Sequence, residues 1–234
     1  MSSTRRFWVT GASNGVGLAL VERLLEEGHR VAASGKDCQE LDTLAELHEG
    51  RLLRLPVHVH ELAEAQAAAE QLQSHWGALD VLIVNAGTCD YLPDGIPANA
   101  IMEAIVSSNR RASEHVLANA LSLLAKGDRP QVMALFSRYS TLQLFAPAQN
   151  PAGHNNLPQW FREQRKVLDD LTVQLTVVAP QSLKAPVSCS LAIPECWTAQ
   201  SAAQELAHRL EQPKAELVLE VSDPTLLWPL PREA

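Results

Sequence analysis

Cysteine is scarce in this 234-residue chain: there are four, Cys38, Cys89, Cys189 and Cys196. None lies in a CxxC pair or in a cysteine–histidine cluster with zinc-like spacing, so no metal knuckle and no disulfide scaffold is expected. The four read as reduced thiols of a cytoplasmic protein. Aromatic residues make up only 5%, and just two are tyrosines, Tyr91 and Tyr139. Positive charge is also in deficit, with 19 Lys and Arg against 27 Asp and Glu and a net charge of -8. That balance repels phosphate backbones and anionic lipid, so neither nucleic acid nor a membrane surface is an expected partner. No apolar run approaches the roughly 20 residues of a membrane span. The apolar stretch after Arg6 is too short for a signal segment. What remains is an ordinary globular composition, 46% hydrophobic and 20% charged. A chain of this length can bury one sizeable core, so residues 1–234 read as one domain with an irregular tail at 224–234.

Short apolar runs alternate with longer helical patterns. Strands are expected at 7–10, 30–34, 52–57, 79–84, 131–136, 175–179 and 216–221. Helices are expected at 15–27, 39–48, 61–76, 158–171 and 199–211, with a further helix at 101–126 that carries one break. The run at 79–84 has little polar alternation, as suits a strand buried on both faces. Strand–helix alternation predicts a doubly wound parallel α/β sheet flanked by helices, with ligands at the carboxyl edge of the strands.

The segment Thr10-Gly11-Ala12-Ser13-Asn14-Gly15-Val16-Gly17 joins the first strand to the first helix. Gly11 permits a tight turn, Gly15 a close approach of backbone to a pyrophosphate, and Gly17 close packing of the helix on the sheet. The helix N-terminus then presents N–H groups and its dipole to phosphate. The TGxxxGxG spacing resembles that of the short-chain dehydrogenase/reductase family. Further segments agree: Leu79 to Gly87 resembles the family's fourth strand and its Asn85-Ala86-Gly87 turn. Asn109 falls where the family has a structural and catalytic asparagine. Ser137 falls at the catalytic serine, and Pro180 at the proline after the sixth strand. The resemblance covers about residues 5–181. It implies a Rossmann-type fold and a nicotinamide dinucleotide held by Gly11, Ser13, Asn14, Gly15, Val16, Gly17, Gly35, Lys36, Val57, Asn85, Ala86, Gly87 and Pro180. No metal is implied.

The dinucleotide is expected to be NADP(H) rather than NAD(H). The second strand ends Ser34-Gly35-Lys36-Asp37, with Gly35 where an NAD-binding member places an acid. Lys36 suits a 2′-phosphate, while Asp37 stands at a distance that also suits a ribose contact. Pro56 occupies the position of the family's adenine-pocket aspartate.

The family moves its proton with a tyrosine and a lysine one helical turn later. Those positions hold Asn150 and His154, so the chain reads as an atypical member lacking the Tyr-x-x-x-Lys dyad. Pro151, Gly153 and Pro158 make the following helix start late. Tyr91, Tyr139 and His154 are possible substitutes for the acid, each with a bland structural alternative. Arg162, Arg165 and Lys166 read as the solvated face of the late helix. Two functions stay open: a carbonyl/alcohol oxidoreductase with a degenerate active site, or a non-catalytic dinucleotide-binding sensor, scaffold or partner subunit. The family's habit of pairing helices at about 101–126 and 158–171 implies a homodimer or tetramer. No residue names a substrate.

Overall fold

The computed structural model describes residues 4–86, 101–136, 157–178, 190–191 and 198–218. In chain order the elements are β1 (Arg6–Thr10), α1 (Gly15–Glu26), β2 (Arg30–Ser34), α2 (Gln39–Leu47), β3 (Leu52–Leu55), α3 (Leu62–Trp76) and β4 (Val81–Ala86). They continue with α4 (Ile101–Leu124), β5 (Gln131–Phe136), α5 (Leu157–Asp170), β6 (Gln174–Val178), β7 (Ser190–Leu191), α6 (Ala199–Glu211) and β8 (Glu216–Val218). The strands form one sheet in the order β3-β2-β1-β4-β5-β6-β8-β7, and every pairing is parallel.

Alternation along each strand divides the core into two layers. In β1, Trp8 faces one side, where it joins Ala68 and Leu72 of α3, Val116 and Leu123 of α4, and Phe161 of α5. Phe7 and Val9 face the other side, against Leu20 and Leu24 of α1, Leu41 of α2, and Leu206 and Leu210 of α6. Helices therefore cover both faces, as the strand–helix alternation predicts for a Rossmann-type sheet. Strand order reverses between β1 and β4. The chain leaves β1 toward β2 on one side and later fills β4 on the other, so a crevice opens above their carboxyl ends.

Several sequence expectations are corrected. The helix expected to break is continuous from Ile101 to Leu124. Polar residues inside it bond back along the helix, Ser113 Oγ donating to the Asn109 carbonyl and Asn119 Nδ2 to the His115 carbonyl. β3 stops at Leu55 rather than at residue 57, because Pro56 has no N–H to give the ladder. Val57 instead closes a tight turn, its N–H donating to the Leu55 carbonyl at 2.8 Å. Arg162 and Arg165 are not a free solvated face. Both pair with Glu216 of β8, at 2.9 and 3.2 Å, and Arg165 also donates to the Leu175 and Ala215 carbonyls. They tie α5 to the far end of the sheet. The two-residue β7 has no counterpart in the sequence expectations. Among the described residues no helix is long and apolar enough to cross a membrane.

Candidate dinucleotide-binding site

The turn between β1 and α1 is built from long-range constraints. Gly11 is buried and left-handed, with φ 59°, and Gly15 is left-handed at 54°. Both conformations are costly for a residue with a Cβ. Gly17 is constrained by space instead. A Cβ there would stand 2.0 Å from the Gly11 carbonyl oxygen and 2.8 Å from Asn85 Nδ2. The helix thus packs against its own glycine turn and against β4, a tighter demand than packing on the sheet in general. Asn85 locks the arrangement: its Nδ2 donates to the Gly11 carbonyl and its N–H to Thr10 Oγ1, both at 3.1 Å. It joins β4 to the turn across the point where strand order reverses.

The first turn of α1 is suited to an anion. Asn14 stands at the N-cap in an extended conformation, makes no side-chain cap bond, and the first turn carries no acid. The N–H groups and dipole of α1 therefore face the crevice with no capping side chain among the described residues. Val16 is buried beneath, in the α1 core layer.

The end of β2 meets the same turn. Ala12 N–H donates to the Ser34 carbonyl at 3.1 Å, and Lys36 N–H donates to Ser13 Oγ at 3.2 Å. A Cβ on Gly35 would stand 2.7 Å from Ser13 Oγ, so a side chain here has to displace the Ser13 hydroxyl. The Lys36 side chain is exposed. Asp37 is held by Arg54 of β3, a residue to which sequence reasoning assigned nothing. The signal for it was the single charge inside the apolar run Leu52-Leu53-Arg54-Leu55. Val57 lies half-buried past β3 and packs on the Trp8 layer.

On α4, Asn109 is 6% exposed, and neither its Nδ2 nor the neighbouring Ser108 Oγ has a hydrogen-bond partner among the described residues. Buried polar groups of this kind cost about 1–3 kcal/mol each unless something pairs with them. β5 ends at Phe136, one residue before Ser137. Ser137, Gly87, Pro180, Asn150, His154, Tyr91 and Tyr139 lie outside the described residues.

Charge chemistry of another kind occupies the opposite, amino edge of the sheet. Asp80, 2% exposed, accepts from Arg6 N–H, Nε and Nη2 and from Asp128 N–H, at 2.7–2.9 Å. Burial pushes its carboxyl up, but the Arg6 hydrogen bond and the two backbone donors outweigh that and hold it below the usual range. Burial lowers His29, whose Nδ1 accepts from Arg5 N–H. Arg5 is buried beside it, lowered by desolvation and by Arg129, and stacks on Phe7 at 5.7 Å.

The geometry has a family counterpart. Residues 6–192 match the short chain dehydrogenase family. The chain belongs to that family. Curated relatives of this chain include cis-2,3-dihydrobiphenyl-2,3-diol dehydrogenase of Pseudomonas sp. (strain KKS102). That protein is 40% identical over 83 residues, 36% of this chain and 30% of the relative. Another is 2-(R)-hydroxypropyl-CoM dehydrogenase of Xanthobacter autotrophicus, 39% identical over 83 residues, 34% of this chain and 33% of the relative. Each match thus spans about a third of the curated relative's length. Two solved structures share the fold over nearly the whole chain. A short-chain dehydrogenase from Streptomyces avermitilis superposes with TM-score 0.72 at 16% identity, covering 93% of this chain and 89% of that one. A metagenomic short-chain oxidoreductase in complex with NADP superposes with TM-score 0.67 at 21% identity, covering 93% and 97%.

Proposed function

We propose that this short-chain dehydrogenase binds NADP(H) in preference to NAD(H) and acts as a carbonyl/alcohol oxidoreductase with an altered proton-handling site. The observation that carries the reading is the cradle at Gly17, where backbone, helix and Asn85 leave no room for a Cβ. Such packing brings the α1 N-terminus to the crevice, and the residues present fit a dinucleotide. Gly11, Ser13, Asn14, Gly15, Val16 and Gly17 would hold the pyrophosphate. Gly35, Lys36 and Val57 would border the adenosine half, and Asn85, Ala86, Gly87 and Pro180 the nicotinamide half. The bound cofactor supplies or accepts a hydride.

The chain's own residues have the remaining tasks. Ser137 orients the substrate oxygen by a hydrogen bond. Asn109, buried with an Nδ2 that has no partner among the described residues, supports a polar chain behind it. Asn150 can orient but not protonate, since a carboxamide has no pKa near neutrality. The proton therefore belongs to another group, and His154, Tyr91 and Tyr139 are the titratable residues the sequence offers near these motifs. One feature of the sequence favours a second reading, a dinucleotide sensor or partner subunit without turnover: the family resemblance aligns Asn150 and His154 with both members of the dyad.

Calorimetric titration with NADPH and NADH, followed by NADPH consumption over a panel of carbonyl compounds, separates these. Binding with turnover that Ser137→Ala abolishes supports the oxidoreductase. Binding without turnover assigns the sensor. A ligand at a hundredfold excess over Kd raises stability by about 2.7 kcal/mol. No stabilisation by either nucleotide at millimolar concentration sinks both.

A further inference from the structure

We propose that Arg54, with Lys36, clamps the 2′-phosphate of NADP(H), and that the Asp37 carboxylate holds the phosphate's place until it binds. This rests on the dinucleotide reading above. Arg54 pairs with Ala33 across the β2–β3 ladder, one residue inside the carboxyl edge. Its neighbour Leu55 is buried in the Trp8 layer, so strand alternation turns Arg54 to the α2 side. There the guanidinium meets two carboxylates, Nη2 with Asp37 Oδ1 at 2.5 Å and Nη1 with Asp42 Oδ1. The turn that carries Lys36 and Asp37 is fastened to the glycine turn through Ser13. A dinucleotide whose pyrophosphate lies on α1 must pass its adenosine ribose over this turn.

The two carboxylates have different standing. The Asp37 side chain is 65% exposed and belongs to the turn itself, so it can swing into water. Exposed carboxylate pairs of this kind hold weakly. Asp42 is also exposed, at 53%, but it projects from the first turn of α2, so a helical backbone anchors it and its pair with Nη1 aims the rest of the fork. A phosphate takes the vacated donors of Arg54 better than a carboxylate does, with more acceptor oxygens and more charge. Gly35 supports the same ligand by exclusion. A side chain there would meet Ser13 Oγ, so the acid that accepts a ribose 2′-hydroxyl has no room unless Ser13 moves.

The test is the Kd of the full chain for NADP+, NAD+, 2′,5′-ADP and 5′-AMP, measured for wild type and five variants. Unfolding midpoints confirm that each variant is folded. Wild type is expected to favour the 2′-phosphorylated member of each pair. Arg54→Gln should cut that preference by about tenfold or more and leave 5′-AMP unchanged. Arg54→Lys, which keeps a charge if the first variant fails to fold, should cut it less, as should Lys36→Gln. The decisive contrast is between the two acids. Asp37→Asn should strengthen 2′,5′-ADP binding, because the placeholder is gone. Asp42→Asn should weaken it, because the fork loses its anchor. A general charge effect would strengthen both, and that result overturns the placeholder. An unchanged preference in both Arg54 variants overturns the clamp, as does weaker NAD+ binding by Asp37→Asn, which would make Asp37 the ribose acceptor. If wild type binds none of the four ligands, the dinucleotide reading itself fails and the clamp goes with it.

Discussion

The two edges of the sheet carry opposite solutions to the same problem. At the amino edge, buried charge is largely met by partners: Asp80 takes four donors, Arg5 N–H donates to His29 Nδ1 and Arg5 Nη2 to the Arg129 carbonyl, with Arg5 Nε left without a partner among the described residues. At the carboxyl edge, glycines stand in for side chains, the Asn14 side chain makes no cap bond to α1, and Asn109 Nδ2 has no partner among the described residues. A parallel sheet with helices on both faces needs one edge closed for stability and leaves the other for ligands. The difference teaches where substitutions should register. At the amino edge they should change stability alone. At the carboxyl edge they should change binding beyond what stability accounts for.

The largest expected effect is at the closed edge. Asp80→Ala strands the buried end of Arg6 and two backbone donors, and should cost about 3–5 kcal/mol in urea unfolding. Dinucleotide affinity of the folded fraction should not change. If it does, the two edges are coupled and the contrast fails. In acid the wild type should lose the same contribution. The carboxyl is lowered on folding, so its stabilisation is present above the unfolded pKa of about 3.9 and is lost as pH falls through the lower folded value.

Gly17→Ala comes next, at about 1–3 kcal/mol, since backbone at Gly11 must move. Nucleotide binding should fall further than unfolding explains. Unchanged affinity in the folded variant would reduce the cradle to helix packing. Thr198→Ala removes the capping box that opens α6, in which Thr198 Oγ1 accepts from Ser201 N–H at 3.0 Å. It should cost about 1 kcal/mol by thermal unfolding and leave affinity alone. Smaller still is a pH dependence at the closed edge. Burial lowers His29, so its contribution is complete above the unfolded pKa of about 6.5 and is lost as pH falls from there toward the folded value. His29→Gln keeps an acceptor for Arg5 N–H and should flatten that part of the stability profile. A slope that survives the substitution places its origin elsewhere.

Sequence alone determined the strand–helix alternation, the glycine turn and the place of Asn85. These are read from period, propensity and turn chemistry, which act over a few residues. Even there, Pro56 shortened β3 because a missing N–H outranks an apolar pattern. The break expected within 101–126 is absent, because the buried face of Val116, Ala120 and Leu123 holds α4 to the sheet. Only the tertiary structure decided that Gly17 meets the Gly11 carbonyl and Asn85, that Arg6 neutralises Asp80 across 74 positions, that Arg162 and Arg165 serve Glu216, and that Arg54 faces Asp37 and Asp42. Each of these depends on which strands are neighbours and in what register. Nothing local encodes that β1 lies between β2 and β4, yet that placement sets Asn85 against the glycine turn, while the β2–β3 register sets Arg54 beside the end of β2.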